Sequence, residues 1–159
     1  MRRFWIGCLA LLLGGAIACA QTPKEFQPAQ LRDFPRGTLE IERAQGRDNL
    51  RIWIADTEAR QEQGLMWIRE LPADYGMTFP LRPPRVMYMW MKNTYVSLDL
   101  LFYDSTGRIT HIKAGATPLS EDIIESGGVV AGVLEMLGGE VARRSIKIGD
   151  RVVIHSRGN

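Results

Sequence analysis

The sequence predicts an α+β domain dominated by an antiparallel sheet that can close into a small β-barrel, with one or two short helices. Three observations carry this expectation. Apolar and polar residues alternate in short runs from Thr38 onward, turn-forming residues separate the runs, and the helical segments between them are few and short.

The first strand is read at Thr38, where Leu39 and Ile41 alternate with Glu40 and Glu42. The second has Leu50, Ile52 and Ile54 alternating with Arg51 and Trp53, and Gly46-Arg47-Asp48-Asn49 serves as the hairpin turn between them. Asp56 or Thr57 can cap a helix running to Gln63, with Glu58 in its first turn and Gly64 suited to ending it. After a loop from Leu71 to Gly76, Met77-Thr78-Phe79 is a brief apolar piece. Pro80, Pro83 and Pro84 then argue against an interior strand, because proline lacks the N–H that a ladder needs. Val86 to Met91, Ser97 to Tyr103 and Arg108 to Lys113 read as three consecutive antiparallel strands, broken at Lys92-Asn93-Thr94 and at Asp104-Ser105-Thr106-Gly107. Ser120 to Glu125 suits a turn of helix, Val129 to Met136 a strand, Glu140 to Arg144 a second short helix, and Arg151 to His155 the last strand.

Residues 1–20 have the order of a secretory signal peptide: Arg2 and Arg3, an apolar run from Trp5 to Ile17, and the small-residue exit Ala18-Cys19-Ala20. That run is shorter than the ~20 residues that cross a bilayer as a permanent helix. Cleavage after Ala20 gives a periplasmic or secreted protein. The alternative is a lipobox at Ala16-Ile17-Ala18-Cys19, which makes the protein a membrane-anchored lipoprotein through Cys19. Residues 21–37, with Pro23, Pro28 and Pro35, read as a flexible polar linker, and residues 38–157 as a single globular domain.

The chain has 20 basic and 18 acidic residues; removing Arg2 and Arg3 with the leader leaves 18 against 18. A balanced charge excludes nucleic acid as the expected partner. Both cysteines, Cys8 and Cys19, lie in the leader, so a disulfide, a thiolate nucleophile and a cysteine-ligated zinc site are all excluded from the soluble mature form. No cofactor is expected. The expected partner is a small polar ligand or an envelope component, with the membrane a partner only through a lipidated Cys19.

Gly64-Leu65-Met66, Trp90-Met91-Lys92-Asn93-Thr94, Leu98-Asp99, Phe102, Val133-Leu134-Glu135 and Ile148-Gly149-Asp150 follow one another in a distinctive order and spacing. In this the chain resembles domain of unknown function family 192, over roughly Leu50 to Val153. Ser97 departs from the pattern, where proline is expected. The resemblance implies a small strand-rich domain of exported bacterial proteins and brings no established activity with it.

The residues themselves point to a ligand site at the connection after Met91. Lys92, Asn93, Thr94 and Asp99 put a cation, an amide, a hydroxyl and a carboxylate around one turn, with Trp90 and Tyr95 as apolar walls. Lys92 would hold an anionic or carbonyl group. A purely structural account competes with this: Lys92 pairs with Asp99, Asn93 supports the turn, and Trp90 fills the core. Two further readings stand beside it. One is a hydrolase of an envelope polymer using Asp99 or Glu135. The other is soft-metal binding, of Cu(I) or Ag(I), through Met87, Met89 and Met91, which share a face at strand period two.

The remaining candidates carry weaker signals. His111 and His155 lack a second ligand at metal spacing, and Ser97 with Asp99 and a histidine lacks a nucleophile elbow. Glu121, Asp122 and Glu125 could join Glu135 in acid–base work on a glycan. Gly127-Gly128 and Gly138-Gly139 read as turns, and Arg82 with Arg85 as a solvated loop or a small anion-binding rim. The balance favours a binding protein over an enzyme.

Overall fold

The computed structural model describes residues 25–156. The expected signal peptide with both cysteines, residues 21–24 of the expected linker and residues 157–159 lie outside the described residues. Seven strands form one sheet: β1 (Arg36–Arg43), β2 (Gly46–Ile54), β3 (Tyr75–Met89), β4 (Leu98–Tyr103), β5 (Ile109–Ala116), β6 (Ile124–Leu137) and β7 (Arg151–Ser156), in the order β5-β4-β6-β3-β2-β1-β7. Two short helices, α1 (Glu58–Gln63) and α2 (Glu140–Arg143), complete the domain. The α+β, sheet-dominated expectation holds, and the sheet is curled into a half-barrel. Its edges touch at one end only, where Arg108 bridges Arg151 and the Ile109 N–H donates to the Asp150 carbonyl at 2.8 Å.

Strand period two divides the apolar residues between the two faces of the sheet. Leu98, Leu100 and Phe102 of β4 pack with Trp53, Met77, Phe79 and Val133 on one face. Leu101 and Tyr103 pack with Leu39, Ile41, Leu134 and Met136 on the other, inside the curl. Every residue of β4 is therefore buried. Tyr103 crosses β6 at Gly132, where an added Cβ would overlap the phenol, and its hydroxyl bonds to Thr78 Oγ1 at 2.8 Å. Burial raises the Tyr103 phenol above its ordinary pKa.

The β2–β3 pair is parallel, unlike its neighbours in the sheet. Parallel neighbours need a crossover connection. Here the crossover carries α1 and brings Leu65, Ile68 and Leu71 onto the first face. Thr57 caps α1 by accepting the Arg60 N–H at 3.3 Å, and Gly64 ends it at φ 48°.

Several expectations are corrected. The segment read as a linker packs on the domain from Phe26: a 3-10 turn at Ala29–Leu31 buries Leu31, and Phe34 is buried beside it. Composition hid this because three large apolar side chains, Phe26, Leu31 and Phe34, anchor a polar stretch. The turn between β1 and β2 is Ala44-Gln45, and the expected turn residues Gly46 to Asn49 begin β2. β3 runs through the prolines, with its pairing to β6 interrupted between Pro80 and Arg85, so the missing N–H groups fall in an irregular stretch of the ladder. The three consecutive antiparallel strands do not form, because β6 lies between β3 and β4. Residues 120–123 form no helix, and Ile124 already begins β6.

Candidate functional site

A cleft of about 420 Å³ opens between α1, the end of β3 and the connection that follows it. From α1, Glu58, Gln61 and Glu62 line one side, followed by Gly64, Leu65 and Met66. β3 contributes Phe79 together with Met87, Tyr88 and Met89, and the connection contributes Trp90, Lys92 and Thr94. β6 contributes Glu135. Of the five residues expected to hold a ligand, Trp90, Lys92 and Thr94 line this cleft. Asn93 and Asp99 do not.

The connection is stitched to its neighbours by backbone bonds. Met91 N–H donates to the Ser120 carbonyl at 2.9 Å, Trp67 N–H to the Asn93 carbonyl at 2.8 Å, and Leu119 N–H to the Thr94 carbonyl at 3.0 Å. Three residues in this knot have left-handed backbones without being glycine: Asn93 at φ 55°, Trp67 at φ 69° and Leu119 at φ 62°. Such conformations cost on the order of 1–3 kcal/mol each and gather where the surroundings impose a shape. Asn93 thus supports the turn mainly through its backbone, its side chain reaching only the Met66 sulfur at 3.8 Å.

Lys92 is exposed and forms no ion pair among the described residues. The structural account in which it pairs with Asp99 is therefore corrected. Trp90, which that account placed in the core, is 42 % exposed. Asp99 is fully buried on the far side of the sheet, opposite Met136 in the register, and both its oxygens are engaged. Oδ1 accepts the Gly115 N–H and Oδ2 the Val141 N–H, each at 2.8 Å. Gly139, at the start of α2, has no side chain to cap it, and Asp99 supplies the missing acceptor from a neighbouring strand.

Glu135 sits one residue along from Met136 and faces the other way, between Met77 of β3 and Leu100 of β4 in the register. Only 4 % of it is exposed, and its Oε2 is buried without a hydrogen-bond partner. Burial pushes its carboxyl up to about 8. An orphaned buried carboxyl on a residue that lines a cleft has the chemistry to accept a donor or to exchange a proton. The two carboxylates of the hydrolase reading lie on opposite faces of the sheet and cannot act on one bond; only Glu135 opens to a cleft.

The methionine face is also redrawn. Met87 and Met89 line the cleft, but β3 ends at Met89, and Met91 is buried against a different cavity beside His111 and Ile124. Met66 joins the first two at the cleft instead. Ser97 Oγ donates to the Ala116 carbonyl at 3.1 Å, so with Asp99 already occupied no triad forms. The sequence reading named Glu135 with Asp99 for a hydrolase and did not place it in the ligand site. Its distinguishing signal is a lone carboxylate within the otherwise apolar run Val133 to Leu137.

The comparisons with known proteins agree with this architecture. A family model described as an uncharacterised ACR, domain of unknown function family 192, matches residues 40–154. The chain belongs to that family. A structure from Sinorhizobium meliloti 1021, described as that of a candidate transcription regulator, is 39 % identical with a TM-score of 0.74, covering 76 % of this chain and 95 % of that one. A protein of unknown function from Novosphingobium aromaticivorans DSM 12444 is 33 % identical with a TM-score of 0.73, covering 81 % of this chain and 99 % of that one. No curated protein matches.

Proposed function

We propose that this protein is an exported, non-enzymatic binding domain of the bacterial envelope whose cleft between α1 and β3 holds a small polar ligand. The observation that carries the reading is the buried, unpartnered carboxyl of Glu135 at the floor of a cleft whose wall includes the unpaired Lys92. A buried polar atom left unsatisfied costs about 1–3 kcal/mol, which a ligand making the missing bond returns as affinity. The cleft volume is within the range of small-molecule sites. The signal-like residues 1–20 support export, to the periplasm or onto a membrane through Cys19. The regulatory description of the Sinorhizobium protein is not carried over, because the balanced charge beyond residue 20 does not suit a duplex.

A thermal-shift screen of the purified protein against amino acids, envelope glycans and small anions tests the reading. A ligand at a hundred times its Kd adds about 2.7 kcal/mol of stability. A dose-dependent rise in melting temperature that is lost in Lys92→Ala and Glu135→Gln supports a ligand in this cleft, and no rise with any compound refutes it.

A second reading is favoured by Met66, Met87 and Met89 all lining the same cleft. Thioethers are soft donors suited to Cu(I). Competition for Cu(I) against a chelator, compared between the wild type and a variant with all three replaced by leucine, separates this reading from the first.

A further inference from the structure

We propose that the cleft takes a free amino acid, its ammonium seated on Glu135 and its carboxylate on Lys92. This assignment rests on the binding reading given above and narrows it to one chemical class.

The floor of the cleft asks for a donor. Oε2 of Glu135 has no partner among the described residues, and its cross-strand neighbours Met77 and Leu100 offer none. The wall offers the opposite. Lys92 is the one cation among the described lining residues, and it has no ion pair. Both groups line the same cleft and no bond joins them among the described residues, a pairing of opposite charges that suits a molecule carrying one charge of each sign. Glu58 and Glu62, on the α1 side, leave the lining with more acids than bases. That excess disfavours phosphates and dicarboxylates, whose second negative charge would meet carboxylates, and leaves zwitterions favoured. Phe79, Met87 and Met89 supply an apolar, adaptable wall for the ligand's side chain.

Binding also moves a proton. In the empty cleft at neutral pH the Glu135 carboxyl is largely protonated, because burial opposes its charge. An arriving ammonium favours the carboxylate, so the carboxyl proton passes to the buffer as the ion pair forms. Glu58 and Glu62 from α1, Tyr88 from β3 and Lys92 from the connection are the other ionisable groups lining the cleft.

The test is isothermal titration calorimetry of the purified protein with the twenty common amino acids at pH 7, in two buffers of different ionisation heat. The N-acetyl and carboxamide derivatives of the tightest binder follow. Each derivative is expected to bind at least tenfold more weakly than its parent, and the parent to release close to one proton. Glu135→Gln should abolish the proton release, and Lys92→Met should weaken the amino acid at least tenfold while leaving its carboxamide unchanged. Melting curves establish that both variants fold. A derivative that binds as tightly as its parent, or full-strength binding in both variants, overturns the assignment. If no amino acid binds while another compound in the thermal-shift screen does, the zwitterion is excluded and the cleft reading survives. If nothing binds in either experiment, both fail.

Discussion

Asp99 and Glu135 are buried carboxylates on adjacent strands, and they have opposite fates. Asp99 faces the inside of the curl and accepts two backbone N–H groups, joining β4 to β5 and to the start of α2. Glu135 lines the cleft, with an oxygen that nothing among the described residues satisfies. Burial alone therefore does not distinguish an acid that the fold satisfies from one that it leaves open. The distinction lies in whether the fold supplies the donors.

The largest expected effect follows from removing the satisfied acid. Asp99→Ala leaves the Gly115 and Val141 N–H groups without their acceptor, and chemical denaturation should show a loss of about 3 kcal/mol or more. A loss below about 1 kcal/mol would mean that Asp99 is no more built into the fold than Glu135 is.

The unsatisfied acid should behave in the opposite sense. The Glu135 carboxyl holds its proton more tightly in the folded protein, at about 8, than near its ordinary value of 4.5. The folded state thus binds more protons between those values, and its stability is full below pH 4.5 and falls as pH rises toward 8. Glu135→Gln removes that penalty. It should stabilise the protein by about 4 kcal/mol at pH 8 and leave it nearly unchanged at pH 4.5, as read from denaturation midpoints at the two values. Equal effects at both would show that the carboxyl titrates alike in the folded and unfolded chain.

Two smaller effects sharpen the contrast between scaffold and cleft. Thr57→Ala removes the cap of α1, the helix that forms one side of the cleft, and should cost about 1 kcal/mol in the same measurement. Lys92→Met, on an exposed and unpaired side chain, should change stability by less than about 0.5 kcal/mol. A larger loss would give Lys92 a structural role.

Much of the fold was legible because strand periodicity is local. Leu39 and Ile41, Leu50 and Ile52, and the run from Leu98 to Tyr103 all announced their strands, and Thr57 and Gly64 marked both ends of α1. What the sequence could not give was adjacency. Nothing within Val129 to Met136 says that it lies between β3 and β4, and nothing in Pro80 to Arg85 says that a bulge lets one strand continue past prolines. The site suffered for the same reason. Lys92 and Asp99 are close in sequence yet do not pair, because the connection carries the chain from the Ile124 end of β6 to its Leu137 end and Asp99 turns to the far face. Glu135 lies 43 residues beyond Lys92 in the numbering and lines the same cleft.

The insertion of β6 between β3 and β4 also dictates when the cleft can exist. Its walls are made from residues 58 to 94, but its floor arrives only with a strand beginning at Ile124. Any nascent chain ending before that strand has β3 and β4 without the partner that joins them, and no acid beneath Lys92. The cleft is thus a property of the finished polypeptide: it exists only in chains whose synthesis has passed β6, once the middle of the sheet has been threaded.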